Sequence, residues 1–212
     1  WDPALSPDGR QLLFSSNRSG RYQIWIAESD GSSPRRVTDF ENAQNPTMSA
    51  DGAWISFVRQ DAGESDGIWK IHPDGSAATA IATGLFLVPD TSPDGRHVAM
   101  SGEAERQVAR LADGVLLKTG FGRATRFRWS VEGERTYLWG LADTGTGDEI
   151  HRVPFDADRE EFGRLERVLA AGETRSAETF GVARDGSAIT FATLANRRAQ
   201  LIRIDGPTGL SK

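Results

Sequence analysis

Short apolar stretches with a two-residue period recur along the chain, each in the same register behind a glycine. Apolar side chains stand three and five positions after it: Leu12 and Phe14, Ile55 and Phe57, Val98 and Met100, Ile189 and Phe191. Alternation with period two marks a strand with one buried face, and the fixed register predicts that the same face is buried each time. A fourth copy carries Thr136 and Leu138 instead. The glycines end five related tetrapeptides, Ser6-Pro7-Asp8-Gly9, Ser49-Ala50-Asp51-Gly52, Ser92-Pro93-Asp94-Gly95, Ser130-Val131-Glu132-Gly133 and Ala183-Arg184-Asp185-Gly186. Proline presets φ, the acid bonds back to local backbone and glycine takes the positive-φ position, so each tetrapeptide reads as a tight turn between two strands.

Beyond a loop, a second apolar run and a second turn follow: Ile24-Trp25-Ile26 with Ser29-Asp30-Gly31, and Ile68-Trp69-Lys70-Ile71 with Pro73-Asp74-Gly75. Weaker versions run from Val108 to Gly114, Ile150 to Asp156 and Leu201 to Gly206, and short last strands are expected at Arg35 to Thr38 and Thr79 to Ala82. The turn glycines are separated by 43, 43, 38 and 53 residues. Strand, turn, strand, loop, strand, turn, strand with a period near 40 to 45 residues is the signature of a β-propeller blade. The expectation is an all-β chain with helix confined to short turns, one propeller domain or fragment over residues 1–212, with repeats at about 1–43, 44–86, 87–124, 125–177 and 178–212.

The stretch from Leu5 to Gly20 and that from Gln23 through Ile26 to Gly31 resemble the WD40-like repeats of TolB-type propellers. That resemblance implies a ring of six blades, of which five repeats are visible. Similar arrays occur in the periplasmic TolB protein, in propellers at the C-terminal ends of bacterial receptor-like Ser/Thr kinases and transcriptional regulators, and ahead of the catalytic domain of prolyl-oligopeptidase-like enzymes. It therefore implies, first, a non-catalytic binding or sensor module of a larger bacterial signalling or envelope protein, with a protein or peptide partner and a fused kinase or DNA-binding domain. The alternatives are the gating propeller of a prolyl-oligopeptidase-like serine peptidase, or the periplasmic TolB translocation protein itself. Trp1-Asp2-Pro3 opens directly on a first strand, which reads as a piece of a longer polypeptide.

Composition narrows the classes. A 38% hydrophobic content, 23 glycines and a formal charge of −5 fit a turn-rich soluble chain, and the acidic balance without a basic block argues against nucleic-acid binding. No apolar run approaches the roughly 18–20 residues a membrane-spanning helix needs. The absence of cysteine removes disulfides, thiolate zinc sites and a cysteine nucleophile, and leaves cytoplasm and periplasm open, with the periplasm favoured.

Candidate chemistry gives way to bland readings. Gly63-Glu64-Ser65-Asp66-Gly67 matches the G-x-S-x-G elbow, but that elbow needs a strand-to-helix turn, and here two strands flank it; Ser65 reads as a hairpin loop. Leu141 to Thr146 resembles an aspartic-protease signature, which requires a second carboxylate across a two-fold axis. The acidic loops Asp61 to Asp66 and Asp143 to Glu149 lack calcium-loop spacing, and His72, His97 and His151 fall in different repeats without metal-binding spacing. The six tryptophans sit mainly on strands, as Trp25, Trp54, Trp69, Trp129 and Trp139 do, and read as packing between blades. The charged stretch Asp156 to Val168 lengthens the fourth repeat; Glu161 and Leu165 permit a helical turn that Gly163 weakens, so it reads as an extended connection before the last strand. No catalytic residue, metal or cofactor is expected. The expected ligand-binding positions open the first strand of each blade and line one rim of a channel: Asp2, Asn45, Val88, Arg126 and Thr179, with Asp90 and Arg128 two residues further along.

Overall fold

The computed structural model describes residues 2–61, 63, 65–102, 106–122, 124–143, 147–170, 179–195 and 198–206. They form five antiparallel sheets and no helix. The first sheet runs β1 (Ala4–Leu5), β2 (Gln11–Ser16), β3 (Gln23–Glu28), β4 (Arg35–Arg36); the second β5 (Ala43–Met48), β6 (Ile55–Arg59), β7 (Gly67–Ile71), β8 (Thr79–Thr83). The third has β9 (Leu87–Thr91), β10 (His97–Ser101), β11 (Arg106–Arg110) and β12 (Leu116–Lys118). The fourth holds β13 (Ala124–Glu132), β14 (Arg135–Asp143), β15 (Asp148–Asp156), β16 (Glu161–Phe162) and β17 (Glu166–Leu169), the fifth β18 (Thr179–Val182), β19 (Ala188–Ala195) and β20 (Arg198–Asp205). These are the blades of an all-β propeller, and consecutive strands pair in order within each, except that β17 pairs with β15.

The turns between first and second strands form as their chemistry requires. In the first, the Ser6 hydroxyl donates to Asp8 at 2.6 Å and accepts the Gln11 N–H at 2.9 Å, while Asp8 accepts the Arg10 N–H at 3.1 Å. The second repeats this with Ser49, Asp51, Trp54 and Ala53, the third with Ser92, Asp94, His97 and Arg96. Gly9, Gly52, Gly95, Gly133 and Gly186 all have φ between +62° and +72°.

The chain divides into two compact units, Trp1–Glu103 with Gln107–Leu117, and Ala104–Arg106 with Lys118–Lys212. In the first, Leu13, Ile24 and Ile26 pack against Ala43, Ile55 and Phe57, and on the far face of the second sheet Val58 and Ile68 pack against Val98 and Met100. Neighbouring positions on β6 thus serve two different cores, because successive side chains point to opposite faces. In the second unit Tyr137, Trp139, Leu141 and Ile150 meet Phe180, Ile189 and Phe191. The positions three and five after the turn glycine are fully buried in the second, third and fifth sheets, whereas Leu12 and Phe14 are half-buried. On that face of the first sheet the Arg18 guanidinium lies 5.1 Å from the Phe14 ring and 4.9 Å from Trp25.

The charged stretch forms no helical turn. Glu161–Phe162 and Glu166–Leu169 both pair with β15, at its two ends, so the fourth strand of this sheet comes in two pieces. Phe162 stacks on Phe155 with centroids 4.6 Å apart, and the Gly163 N–H donates to the Pro154 carbonyl at 2.9 Å.

Candidate binding face

Antiparallel order puts the start of each first strand, the loop between second and third strands and the exit of the fourth strand at one end of the sheet. In the first unit this end carries Asp2, Asn45 and Val88, 43 residues apart in sequence. All three have left-handed backbone, with φ of 50°, 53° and 49°, and each directly precedes a proline. Residues before proline favour extended conformations, and a β-branched residue such as Val88 is an outlier at positive φ. The pairing register slips here, between Gln44 and Thr47 against β6 and across Val88 and Pro89 against β10. These are β-bulges, which turn a side chain away from strict alternation. The Asn45 N–H donates to the Ser15 hydroxyl of the neighbouring sheet at 3.1 Å, anchoring the bulge. Asp2 is exposed, Asn45, Val88 and Asp90 are half-buried, and Asp90 makes contacts of its own.

In the second unit β13 begins with the same irregularity, between Ala124 and Arg126. Arg126 and Arg128 are half-buried; Arg128 donates to the Phe127 carbonyl at 2.6 Å, and Arg126 is likewise engaged. Thr179 opens β18, paired with Ala192. Asp2, Asn45, Val88 and Asp90 thus belong to one unit and Arg126, Arg128 and Thr179 to the other.

The same end of the first unit holds a groove of about 670 Å³, bordered by the β2–β3 loop, the chain between β4 and β5, and the end of β6. Its floor is held by Gln23, buried to 2% exposure, whose amide donates to the Phe40 carbonyl and accepts the Thr38 hydroxyl at 2.7 Å and the Phe40 N–H at 3.1 Å. Arg21 pairs with Glu41, Arg36 with Asp39 at 3.3 Å, and Arg59 with Asp61. Arg36–Asp39 and Arg59–Asp61 are close in sequence, whereas Arg21 and Glu41 come from separate loops, so that pair was not legible in the sequence.

The other singled-out residues are accounted for structurally. Ser65 lies in the β6–β7 loop, where its carbonyl accepts the Trp69 indole N–H at 2.8 Å. Residues 144–146 of the protease-like signature and Glu64 lie outside the described residues. His72 stacks on Trp54 at 3.9 Å, His97 is buried beside Asp94, and His151 bonds Glu149 at 2.7 Å. Trp139 is fully buried and donates to the Ser130 hydroxyl at 2.8 Å.

Residues 1–138 match the family model of the TolB beta propeller domain. The chain belongs to that family. An uncharacterized protein of Agrobacterium fabrum, Atu1656, is 34% identical over 110 residues, covering 46% of this chain and 38% of its own. The Tol-Pal system protein TolB of Anaeromyxobacter dehalogenans is 34% identical over 91 residues, covering 43% of this chain and 20% of its own. The matched part is thus well under half the length of either relative. A putative TolB structure from Agrobacterium tumefaciens superposes on 98% of the chain and 77% of its own, with a TM-score of 0.76 at 18% identity. For this TolB-type propeller, no helix among the described residues is long and apolar enough to cross a membrane.

Proposed function

We propose that this TolB-type propeller is a non-catalytic binding or sensor module of a larger bacterial signalling or envelope protein, taking a protein or peptide partner on the end where the first strands begin. One observation supports it most. The left-handed backbone before proline recurs at Asp2, Asn45 and Val88 although each such residue costs on the order of 1–3 kcal/mol, and strain of this kind concentrates at functional sites. The backbone repeats while the side chains differ: an acid, an amide and a branched apolar group, with Arg126 and Thr179 at the matching positions further along. A constant scaffold with variable chemistry is the arrangement of a recognition surface. Asp90 and Arg128 complete the proposed set. A kinase or DNA-binding domain on the same polypeptide is part of this reading.

The test is capture of a partner from an extract of the native host, followed by titration calorimetry with that partner. Replacing Arg126 and Arg128 together by alanine is expected to weaken an anionic partner by on the order of 1–3 kcal/mol, the worth of charge-assisted hydrogen bonds, and Asn45→Lys to weaken it independently. Dissociation constants unchanged in both variants would remove the strand starts as the site.

A further inference from the structure

The groove of the first unit contains an arginine that the blade itself does not require. Arg59 stands seven residues after the turn glycine Gly52, and the equivalent positions in the other repeats are Ser16, Gly102, Gly140 and Thr193. In the third and fourth sheets an aromatic ring takes up the space: a Cβ on Gly102 would lie 2.8 Å from the Phe86 ring, and one on Gly140 2.6 Å from Phe121. The second sheet places Phe40 over a full arginine side chain instead. Glycine or a small hydroxyl residue thus serves the fold at this position in the other four blades, and the guanidinium is an addition.

That guanidinium is held on three sides. Its carbon lies 4.4 Å from the Phe40 centroid and 4.5 Å from that of Trp69, and its Nε donates to Asp61. Asp61 is fixed in turn by the Asn42 N–H at 3.1 Å, and Phe40 by the buried amide of Gln23. The side chains of Arg59 and Asp61 are only 19% and 12% exposed. Among the described residues the two Nη groups make no hydrogen bond, and the residue borders the groove. A planar donor fork whose stem is already immobilised loses little further entropy on meeting an oxyanion, and its geometry matches two oxygens at once.

We propose that Arg59 receives a ligand carboxylate in this groove, and that the ligand is a short peptide or amino-acid-like molecule carrying a positive group as well. The charge balance selects this class. Arg21 and Arg36 are each matched by an acid, Glu41 and Asp39, so the groove has no surplus of positive charge to hold a dianion such as phosphate. Asp39, with its side chain 81% exposed, and Glu41 can face a ligand ammonium while the carboxylate lies on the Arg59 fork. This site shares no residue with the strand starts, and its test does not depend on them.

The experiment is an NMR titration of the 15N-labelled chain with three probes: the tripeptide Lys-Ala-Ala as free acid, the same peptide as C-terminal amide, and inorganic phosphate. The free acid is expected to shift the Arg59, Phe40 and Asp61 resonances with a dissociation constant on the order of 1 mM. It should bind about tenfold more tightly than the amide, and Arg59→Gln should erase that difference. The acid–amide comparison on the unaltered chain stands even where the variant fails to fold. Equal binding of acid and amide, absence of shifts below about 10 mM acid, or tighter binding of phosphate than of the acid would overturn the proposal.

Discussion

At the scale of single residues, the first turn of the second blade depends on glycine for its backbone alone. Gly52 has φ of +72°, and a Cβ there would meet nothing nearer than the Met48 sulfur at 4.0 Å. Gly52→Val should therefore cost the strain of a branched residue in left-handed backbone, about 1–2 kcal/mol, and lower the melting temperature by roughly 3–8 °C. Gly52→Asn should cost much less, since asparagine tolerates this region; equal melting temperatures for all three chains would refute the turn geometry. The acid of the same turn has a pH signature. The Asp51 carboxyl is held below the usual aspartate range, first by the Ser49 hydroxyl and then by the Ala53 N–H. A depressed carboxylate stabilises the fold above its unfolded pKa, and that contribution is lost as the pH falls below about 4. Asp51→Asn should lower the melting temperature at neutral pH and flatten its decline between about pH 4 and pH 2; parallel curves for both chains would show that Asp51 contributes no linkage. These turns were legible because Ser, Asp and Gly each carry local instructions. Arg59 was not, since Phe40 and Trp69 become its neighbours only through the folding of the chain, although Asp61 stands two residues away.

Among elements, what the sequence conceals are the irregular strands. Val88 carries no sign of left-handed backbone; a β-branched residue before proline argues for the opposite, and the bulge arises from pairing with β10. Val88→Asn, which copies Asn45, should relieve strain and stabilise by about 0.5–1 kcal/mol, and an unchanged or lower urea midpoint would count against a strained bulge. The split last strand of the fourth sheet was equally hidden, because two-residue and four-residue pieces are too short to show a period. Its second piece is tied in by Arg152 on β15, which reaches Glu132 at 2.9 Å and Glu166 at 2.9 Å and lies 4.5 Å from the Tyr137 centroid. With the Arg152 side chain 13% exposed, Arg152→Met leaves Glu132 without a guanidinium partner. The expected loss is about 2–3 kcal/mol, below the range for a fully enclosed pair because Glu166 is half open to solvent. Adding Glu132→Gln should restore part of it, and a double variant no more stable than Arg152→Met would mean that the ion pair is not the source.

For the molecule as a whole, repetition made the fold readable and left the activity unread, since the residues that recur are those that build blades. The two protease-like motifs can be judged on where the architecture puts them. Ser65 precedes β7 and His72 follows it, so the two lie at opposite ends of one strand, about 20 Å apart at 3.3 Å per residue. His97 opens β10, at the end of its sheet away from the strand starts, where it is buried beside Asp94. Within the first unit, then, neither histidine can take a proton from the Ser65 hydroxyl, and the serine lies between two paired strands rather than at the head of a helix. The chain is expected to release no product from a p-nitrophenyl ester or an unstructured peptide above the buffer rate. Ser65→Ala and Asp143→Asn should leave both that background and the melting temperature unchanged. Turnover that disappears in Ser65→Ala, while Asp143→Asn retains it, would place an acyl-transfer nucleophile in the β6–β7 loop and end the non-catalytic reading.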